Sequence, residues 1–355
     1  MARAAGVVDS TVSRVLNGRD AAAGGQSGLR VPPQTRARIL AAALALDYRP
    51  HHAARALRDG RTGVVAFVLP ELDIPSAAAL AVDGHRLAAA RGYVAQVLPR
   101  GDTVAELVST LRFLGQRPAD AAVILAPGQH PQVEQELRAL ARAVPLLLFS
   151  KWPLTLPGAV VGYESMERRA GLAVRHLLAL GRRRIAYLGE VPGEGGGTSS
   201  AEVYGRELAG VGLAPGKVIL CRRGAASRAD ACAAVTRLLD VRAGQRIDAI
   251  FAGTTNTAIG AGFALQRARV AVPQQVALVT LGQSSELEWI YPGISSVVSD
   301  SRRPGELLGR LFERLEQVHA SGLAHHELAA RDPFWSGRPV ELPARLVVRA
   351  STAGA

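Results

Sequence analysis

The chain has 355 residues, 48% of them hydrophobic, 20% charged and only 5% aromatic. That length and balance describe a globular protein of two or three domains cored by Ala, Val and Leu, and exclude a disordered or fibrous chain. The net charge of +12 points to an anionic partner such as nucleic acid.

Only Lys151 and Lys217 are lysines and the other 40 of the 42 basic residues are arginine, so where the charge sits is more informative than its total. Residues 1–62 carry ten arginines against four aspartates, a local +6 that is half the net charge on under a fifth of the chain. Two cysteines, Cys221 and Cys232, are too few for a disulfide framework or a metal knuckle and fit a reducing compartment. No apolar run approaches the ~18 residues of a membrane span, and none resembles a signal peptide. A cytoplasmic protein with no membrane contact, bound metal or cofactor is expected.

The first readable stretch is "AAGVVDSTVSRVLNG", residues 4–18. Ala4 and Ala5 close one helix, Gly6 permits a tight turn, and Val7 packs the corner. Asp9 or Ser10 then caps a second helix, the cap being the preferred role for the Asp9 carboxylate. Val12, Val15 and Leu16 form its apolar face. Ser10, Thr11, Ser13, Arg14 and Asn17 lie on other faces, presented to a DNA major groove. Only eight residues precede Asp9, so the first helix is expected to be truncated, and a half-length helix buries little.

A Gly-rich loop, "GRDAAAGGQSGLR", comes next. "VPPQTRARILAAALALDYRP" reads as a third helix, with Ile39, Leu40, Ala43, Leu44 and Leu46 as packing residues and Thr35, Arg36 and Arg38 placed for phosphates. "HHAARALRDGR" is short, basic and of helical propensity.

From residue 63 apolar strand runs alternate with helices: "GVVAFVLP", "YVAQVLP", "AAVILAP", "VPLLLFS", "RIAYLGE", "KVILC", "DAIFAG" and "VALVTLG". This is the pattern of βαβ units in parallel sheets covered on both faces. About ten strands exceed one comfortable sheet, so two doubly wound lobes are expected, breaking near Val160–Ser165. "ISSVVS" and "GELLGRLFERL" are expected to cross back to the first lobe. The expected organisation is 1–49 for a helix-turn-helix domain and 50–62 for a hinge helix. Lobe 1 takes about 63–162 and 291–322, lobe 2 about 163–290 and 323–350. Ligands in such sheets bind at the carboxyl ends of the strands. "PGEGGGTSS", Pro192 to Ser200, lacks the GxxxxGK of a phosphate cradle and reads as a plain loop.

"AAGVVDSTVSRVLNG", "TRARILAAALALDYRP", "AARALRDGRTGVVAFVLP", "VRHLLALGRRRIAYLGE", "DAIFAG…AIGAGFAL…VPQQVALVTLG" and "LVVRAST", in that order, resemble the LacI/GalR (lactose-repressor) family of bacterial transcription regulators over essentially the whole chain. The resemblance implies a helix-turn-helix domain followed by a two-lobed, periplasmic-binding-protein-like α/β domain. It implies a homodimer on a near-palindromic double-stranded operator, acting as a repressor and modulated by a small molecule in the interlobe cleft. Asp9, Ser10 and Arg14 map to base-reading positions, and Arg14 can pair bidentately with guanine. Thr11, Ser13 and Asn17 map to phosphate-holding or turn positions. Leu57 maps to a leucine wedged into the minor groove, with Ala54 beside it and Arg55 near the backbone.

In the cleft the chain departs from the pattern that the resemblance implies. Ile74-Pro75-Ser76 replaces asparagine–proline–aromatic, Ser150-Lys151 replaces aspartate–arginine, and Ser165-Met166 replaces aspartate–asparagine. Ser200 stands for a ligand-gripping arginine, Thr254-Thr255 for asparagine–aspartate, and Gly282 for the last aspartate. Hydroxyls cannot replace charge-assisted bonds, which are roughly twice as strong. The effector is therefore expected not to be an ordinary sugar but something less polar or anionic, lined by Ser76, Lys151, Trp152, Ser200, Tyr204, Thr254, Thr255 and Trp289.

Two alternatives compete: a degenerate or effector-independent regulator with impaired DNA binding, and a solute-binding protein, which lacks such a reader and needs a signal peptide. An enzyme is not expected. There is no GxSxG elbow. In "HHELAAR" Ala330 stands where HExxH requires its second histidine, so His325, His326 and Glu327 read as a solvated helix or loop.

Overall fold

A computed structural model describes residues 2–16, 31–48, 60–70, 72, 74–116, 118–125, 129–191, 199–224, 226–240, 246–299 and 302–354. The chain divides into two compact units, Met1–Thr62 and Gly63–Ala355. The Gly-rich loop, Asn17, the segment with Ala54, Arg55 and Leu57, and residues 192–198 lie outside the described residues.

In the first unit α1 spans Ala2–Ala5, α2 Asp9–Leu16 and α3 Pro33–Ala45. Gly6, at φ +59°, makes the left-handed turn between α1 and α2 that a side chain would resist. The core is small: Ala5, Val12, Val15 and Ile39, with Val7, Leu16, Val31 and Ala42 packed at its edge. Of the expected packing residues on α3, Ile39 and Ala43 are buried. Leu40, Leu44 and Leu46 are exposed, Leu44 by 83%, because two short helices cover only one face of α3. Arg38 is not held out toward phosphates either. Its guanidinium donates to the Ala5 carbonyl at the end of α1, where a cation meets the negative end of the helix.

The second unit has two six-stranded sheets, as the alternation of strands and helices predicts. The first contains β1 (Val64–Leu69), β2 (Val94–Pro99), β3 (Ala121–Leu125), β4 (Leu146–Ser150), β5 (Ala159–Tyr163) and β11 (Pro339–Glu341), all parallel, in the order β11-β5-β4-β3-β1-β2. The second holds β6 (Ile185–Glu190), β7 (Val218–Cys221), β8 (Ala249–Ala252), β9 (Ala277–Leu281), β10 (Ser295–Ser299) and β12 (Ala344–Val347), in the order β12-β10-β9-β8-β6-β7. Only β12 runs antiparallel, against β10.

The helices that cover the first sheet include α4 (Pro75–Ala89), α5 (Val104–Gly115) and α6 (Pro131–Ala143); the second is covered by α7 (Met166–Ala179), α8 (Ser200–Ala209), α9 (Ala226–Leu239) and α10 (Thr255–Arg267). Each face of each sheet carries its own apolar cluster.

The late crossings differ from the expected ones. "ISSVVS" does not return to the first lobe: β10 stays in the second sheet, paired parallel with β9. After the short α11 (Glu286–Trp289) and β10, the helix α12 (Arg302–Ser321) carries the crossing, burying Leu307, Leu308, Leu311, Phe312 and Leu315 against the first sheet. The next helix, α13 (His325–Ala329), and β11 also belong to lobe 1, and the chain re-enters lobe 2 only at β12. Lobe 1 thus takes 302–341 rather than 291–322, and lobe 2 keeps 291–299. An apolar strand is equally at home in either sheet, so its partner was not readable from composition.

His325 is not solvated as expected. It is 3% exposed, Nε2 donates to the Gly158 carbonyl at 2.8 Å, and its ring sits edge-on to Trp335, centroids 5.0 Å apart. Burial depresses its pKa to about 4.

Candidate DNA-reading helix and interlobe cleft

In α2 the inward face is Val12 and Val15; Ser10, Ser13 and Arg14 lie on the opposite side at i, i+3 and i+4, Ser10 and Ser13 exposed and Arg14 half-buried. Thr11 is half-buried at the flank. Asp9 does not occupy the cap position. The Val8 carbonyl accepts from the Val12 N–H at 3.3 Å, which puts Val8 at the cap and the exposed Asp9 in the first helical turn. A carboxylate there still favours the helix, through the positive end of the dipole.

The second site lies where the strands of both sheets end. Tyr163–Met166 joins β5 to α7, and near it Glu164 accepts from the Arg169 guanidinium of α7 and from the Ser299 hydroxyl at the end of β10. This fixes the two lobes side by side at the crossing points.

The hydroxyls at the positions that depart from the family pattern are already engaged. The Ser150 Oγ accepts from the Trp152 N–H at 3.2 Å, and the Ser165 Oγ caps α7 by accepting from the Arg168 N–H at 3.2 Å. Ser200 and Tyr187 share a hydrogen bond of 2.7 Å. The Thr254 Oγ1 caps α10, accepting from the Thr257 N–H at 3.3 Å, and donates to Glu190 at 3.3 Å. Thr255 is buried. Gly282, at φ +113°, leaves a hypothetical Cβ only 2.8 Å from the Thr255 Oγ1, so both backbone and space exclude an acidic side chain there.

Two expected lining residues lie elsewhere. Tyr204 is fully buried in the lobe 2 core, donating to the Ile185 carbonyl at 2.7 Å and accepting from the Gly216 N–H at 2.9 Å. Its ring was needed by the sheet, not by a ligand. Trp289 is 86% exposed in α11, and the Ile290 and Tyr291 that follow it line a cavity at the C-terminal half of α10, away from the strand ends. Ser76 is exposed in the first turn of α4.

The residues that do converge include charges that pattern reading passed over. Lys151 follows β4, Arg100 follows β2, and Arg223 lies two residues beyond β7. Lys151 is exposed as a residue, yet the surrounding protein desolvates its amine. Desolvation first, then repulsion from Arg169, holds it below the ordinary lysine range; Glu164 opposes this, and Arg100 and Arg223 reinforce it. Arg100 is likewise depressed, by burial first and then by Arg223, against Asp102. Arg223 of lobe 2 thus acts electrostatically on both lobe 1 cations. The Trp152 Nε1–H is buried without an acceptor among the described residues, a state that costs about 1–3 kcal/mol. The available signal was positional: "VLPR", "FSKW" and "ILCRR" each place a base just past an apolar strand.

Residues 174–352, half of the chain, match the periplasmic binding protein-like domain family, and residues 1–51 match the lacI family of bacterial regulatory proteins. The chain belongs to the lacI family. The regulator is 29% identical over 322 residues to the HTH-type transcriptional regulator CelR of Thermobifida fusca, covering 89% of each chain. The solved lac repressor dimer bound to operator and the anti-inducer ONPF has the same fold, with TM-score 0.72 at 20% identity, covering 99% of this chain and 97% of that one. A CelR–cellobiose complex matches at TM-score 0.62 and 24% identity, covering 99% and 98%. Such relatives regulate transcription and are not enzymes. Among the described residues no helix is long and apolar enough to cross a membrane, and no cluster of metal-binding side chains occurs.

Proposed function

We propose that this regulator is a repressor that binds a near-palindromic operator as a homodimer, with occupancy set by a small molecule in the interlobe cleft that is not an ordinary sugar. The observation that carries the DNA-binding part is α2 itself. Its apolar face is buried, and Ser10, Ser13 and Arg14 form the opposite face, the arrangement by which a recognition helix reads base edges. Asn17, Ala54, Arg55 and Leu57 extend this reading as proposed DNA contacts on the strength of the family pattern.

Self-association is supported by apolar surface on both lobes. On lobe 2, the 83%-exposed Tyr291 lines a cavity of about 350 Å³ with Gln266 at the end of α10 and Arg269 just beyond it, and Trp289 two residues earlier is 86% exposed. Phe263 on the same helix is exposed under Arg267. On lobe 1, β2 is an edge strand with Val94 and Val97 exposed. Open apolar edges of this kind are normally covered. The non-sugar reading is supported by the engaged hydroxyls and by Gly282, since sugar recognition relies on free carboxylates and amides.

The test is fluorescence anisotropy of the full chain on DNA from its own upstream region across a salt series, with sedimentation in parallel. Tight, sequence-dependent binding by a dimer is the expected result. Binding that ignores sequence and disappears with salt is the electrostatic background of a basic protein and overturns the proposal.

A further inference from the structure

We propose that lobe 2 carries a second small-molecule site, outside the interlobe cleft, for a small organic acid: a carboxylate on an aromatic or branched apolar body. The acid occupies the cavity of about 350 Å³ at the C-terminal end of α10, with its carboxylate on Arg269. This site is separate from the cleft and independent of what the cleft binds.

The cavity is formed by the end of α10, the loop that leads into β9, and the segment between α11 and β10. Leu265, Leu278, Ile290 and Ile294 are apolar walls, and Gln266, Arg269, Gln274 and Tyr291 add polar groups. Its frame is fixed. The Arg182 guanidinium donates to the Pro273 and Gln274 carbonyls at 2.8 and 3.3 Å, and the Gln275 side chain accepts from the Ala271 N–H at 2.8 Å. The volume lies at the small end of ligand pockets, which are mainly apolar with a few polar groups.

Two residues of this cavity are unfavourable choices that packing does not explain. The first is Arg269. Helices α4, α7 and α8 each end in the same hydrogen-bonded turn, with Gly92, Gly181 and Gly212 left-handed at φ +74°, +76° and +72°. The end of α10 repeats that turn: the Arg269 N–H donates to the Gln266 carbonyl and the Val270 N–H to the Leu265 carbonyl, both at 3.0 Å. Here the left-handed residue is Arg269, at φ +54°. Side chains are disfavoured in that region, and glycine adopts it freely. Asp47 ends α3 in the same way, but aspartate is one of the few side chains that tolerate it. A cation gains from the dipole at a helix C-terminus, yet Arg267 in the last turn already supplies one. The Arg269 guanidinium has no ion-pair partner among the described residues.

The second is Gly262, inside α10, where glycine weakens a helix relative to alanine. Gly260 has a packing reason, since a Cβ there would lie 2.1 Å from the Arg228 carbonyl oxygen. At Gly262 a Cβ would make only ordinary contacts, 3.5 Å from the Ile294 Cδ1 and 3.8 Å from the Leu278 Cδ2, both of them cavity walls. The fold does not exclude a side chain at 262; the side chain would take up the cavity. Locally unfavourable residues of this kind gather at binding sites.

The ligand class follows from the lining. A carboxylate pairs with the planar guanidinium, and the Gln266 and Gln274 amides supply further donors. The apolar walls suit a hydrocarbon body and leave the hydroxyls of a sugar unpaired. Tyr291 offers an aromatic face to that body.

The experiment is calorimetric titration of the full chain with phenylacetate, benzoate and 3-methylbutyrate, with phenylacetamide as the uncharged counterpart. At least one acid is expected to bind more tightly than about 1 mM, and phenylacetamide at least about tenfold more weakly than phenylacetate. Arg269→Gly removes the charge and Gly262→Leu fills the space, and each is expected to weaken that acid by about tenfold or more. Both variants are expected to keep or raise the melting temperature of the two-lobed unit, by about 2 °C, because each removes an unfavourable residue. Lost binding with retained or increased stability separates a ligand site from a structural role. Absence of binding by every acid below about 1 mM overturns the proposal. Phenylacetamide binding as tightly as phenylacetate overturns it too, as does acid binding that survives both variants and so lies elsewhere, the cleft included. Sedimentation of the same variants covers the remaining occupant. If both alter the oligomeric state and no acid binds, the cavity seats a second copy of the chain and is not a ligand site.

Discussion

The two units build their candidate sites by opposite means. The N-terminal unit presents Ser10, Ser13 and Arg14 from one eight-residue helix, over a small core of Ala5, Val12, Val15 and Ile39. The two-lobed unit brings Arg100, Lys151 and Arg223 together from strands 123 residues apart in sequence, over four apolar clusters. The first site is local and thinly supported; the second is long-range and rigidly held. Small helical units bury a modest share of their surface and sit near the margin of stability. Cations on the reading helix act through water and are screened by salt, whereas those in the cleft repel across protein and lose part of their hydration.

The largest expected effect follows from that thin core. Ile39→Ala removes its largest side chain, at a cost of about 2–5 kcal/mol, comparable with the whole stability of so small a unit. Operator binding is expected to vanish at 25 °C while the main thermal transition of the two-lobed unit stays in place. A shift of both together in calorimetry would show that the units do not unfold independently.

The acid limit of the larger unit comes next. His325 is held neutral, its pKa lowered from 6.5 to about 4 by burial, and its Nδ1 has no partner among the described residues. Between those values the unfolded chain binds the proton and the folded chain does not. Stability is therefore full above pH 6.5 and falls as the pH drops toward 4, by up to about 3 kcal/mol. His325→Gln, which cannot titrate, should flatten this slope in denaturant midpoints measured from pH 7 to pH 4. An unchanged slope would assign the acid sensitivity elsewhere.

The same contrast explains what could be read from the sequence. Helix α2 was legible because Val12 and Val15 against Ser10, Ser13 and Arg14 is a pattern contained in one helix. The strands were legible because each apolar run is continuous. Tyr204 and Trp289 were misplaced because an aromatic looks alike in a core, a cleft or an outer face; only the sheet that claimed Tyr204 and the loop that carried Trp289 outward separate them. Arg100 and Arg223 were invisible as a pair because their proximity depends on lobe packing, and β10 was misassigned for a similar reason.

A middle-sized effect sharpens the local half of the comparison. Arg14→Ala should weaken operator binding by about 1–3 kcal/mol and relax preference at one base pair in each half-site. The main thermal transition of the two-lobed unit should not change. Equal weakening on all sequences would make Arg14 a phosphate contact instead.

The smallest effect tests a residue with two candidate roles. Thr103 and Thr254 each cap a helix that follows a strand, one in each lobe. The Thr103 Oγ1 accepts from the Glu106 N–H at 3.2 Å, and the Thr254 Oγ1 from the Thr257 N–H at 3.3 Å. Removing a threonine cap costs about 1 kcal/mol, so Thr103→Ala and Thr254→Ala should lower stability to a similar extent. Thr254 differs in standing at the end of β8 and in donating to Glu190, so its hydroxyl is engaged on both sides. If that engagement is its whole role, Thr254→Ala leaves ligand affinity where Thr103→Ala leaves it. A loss of affinity confined to Thr254→Ala and rescued by Thr254→Ser would mean that the ligand displaces Glu190 as the acceptor. Thr254 would then be a contact as well as a cap.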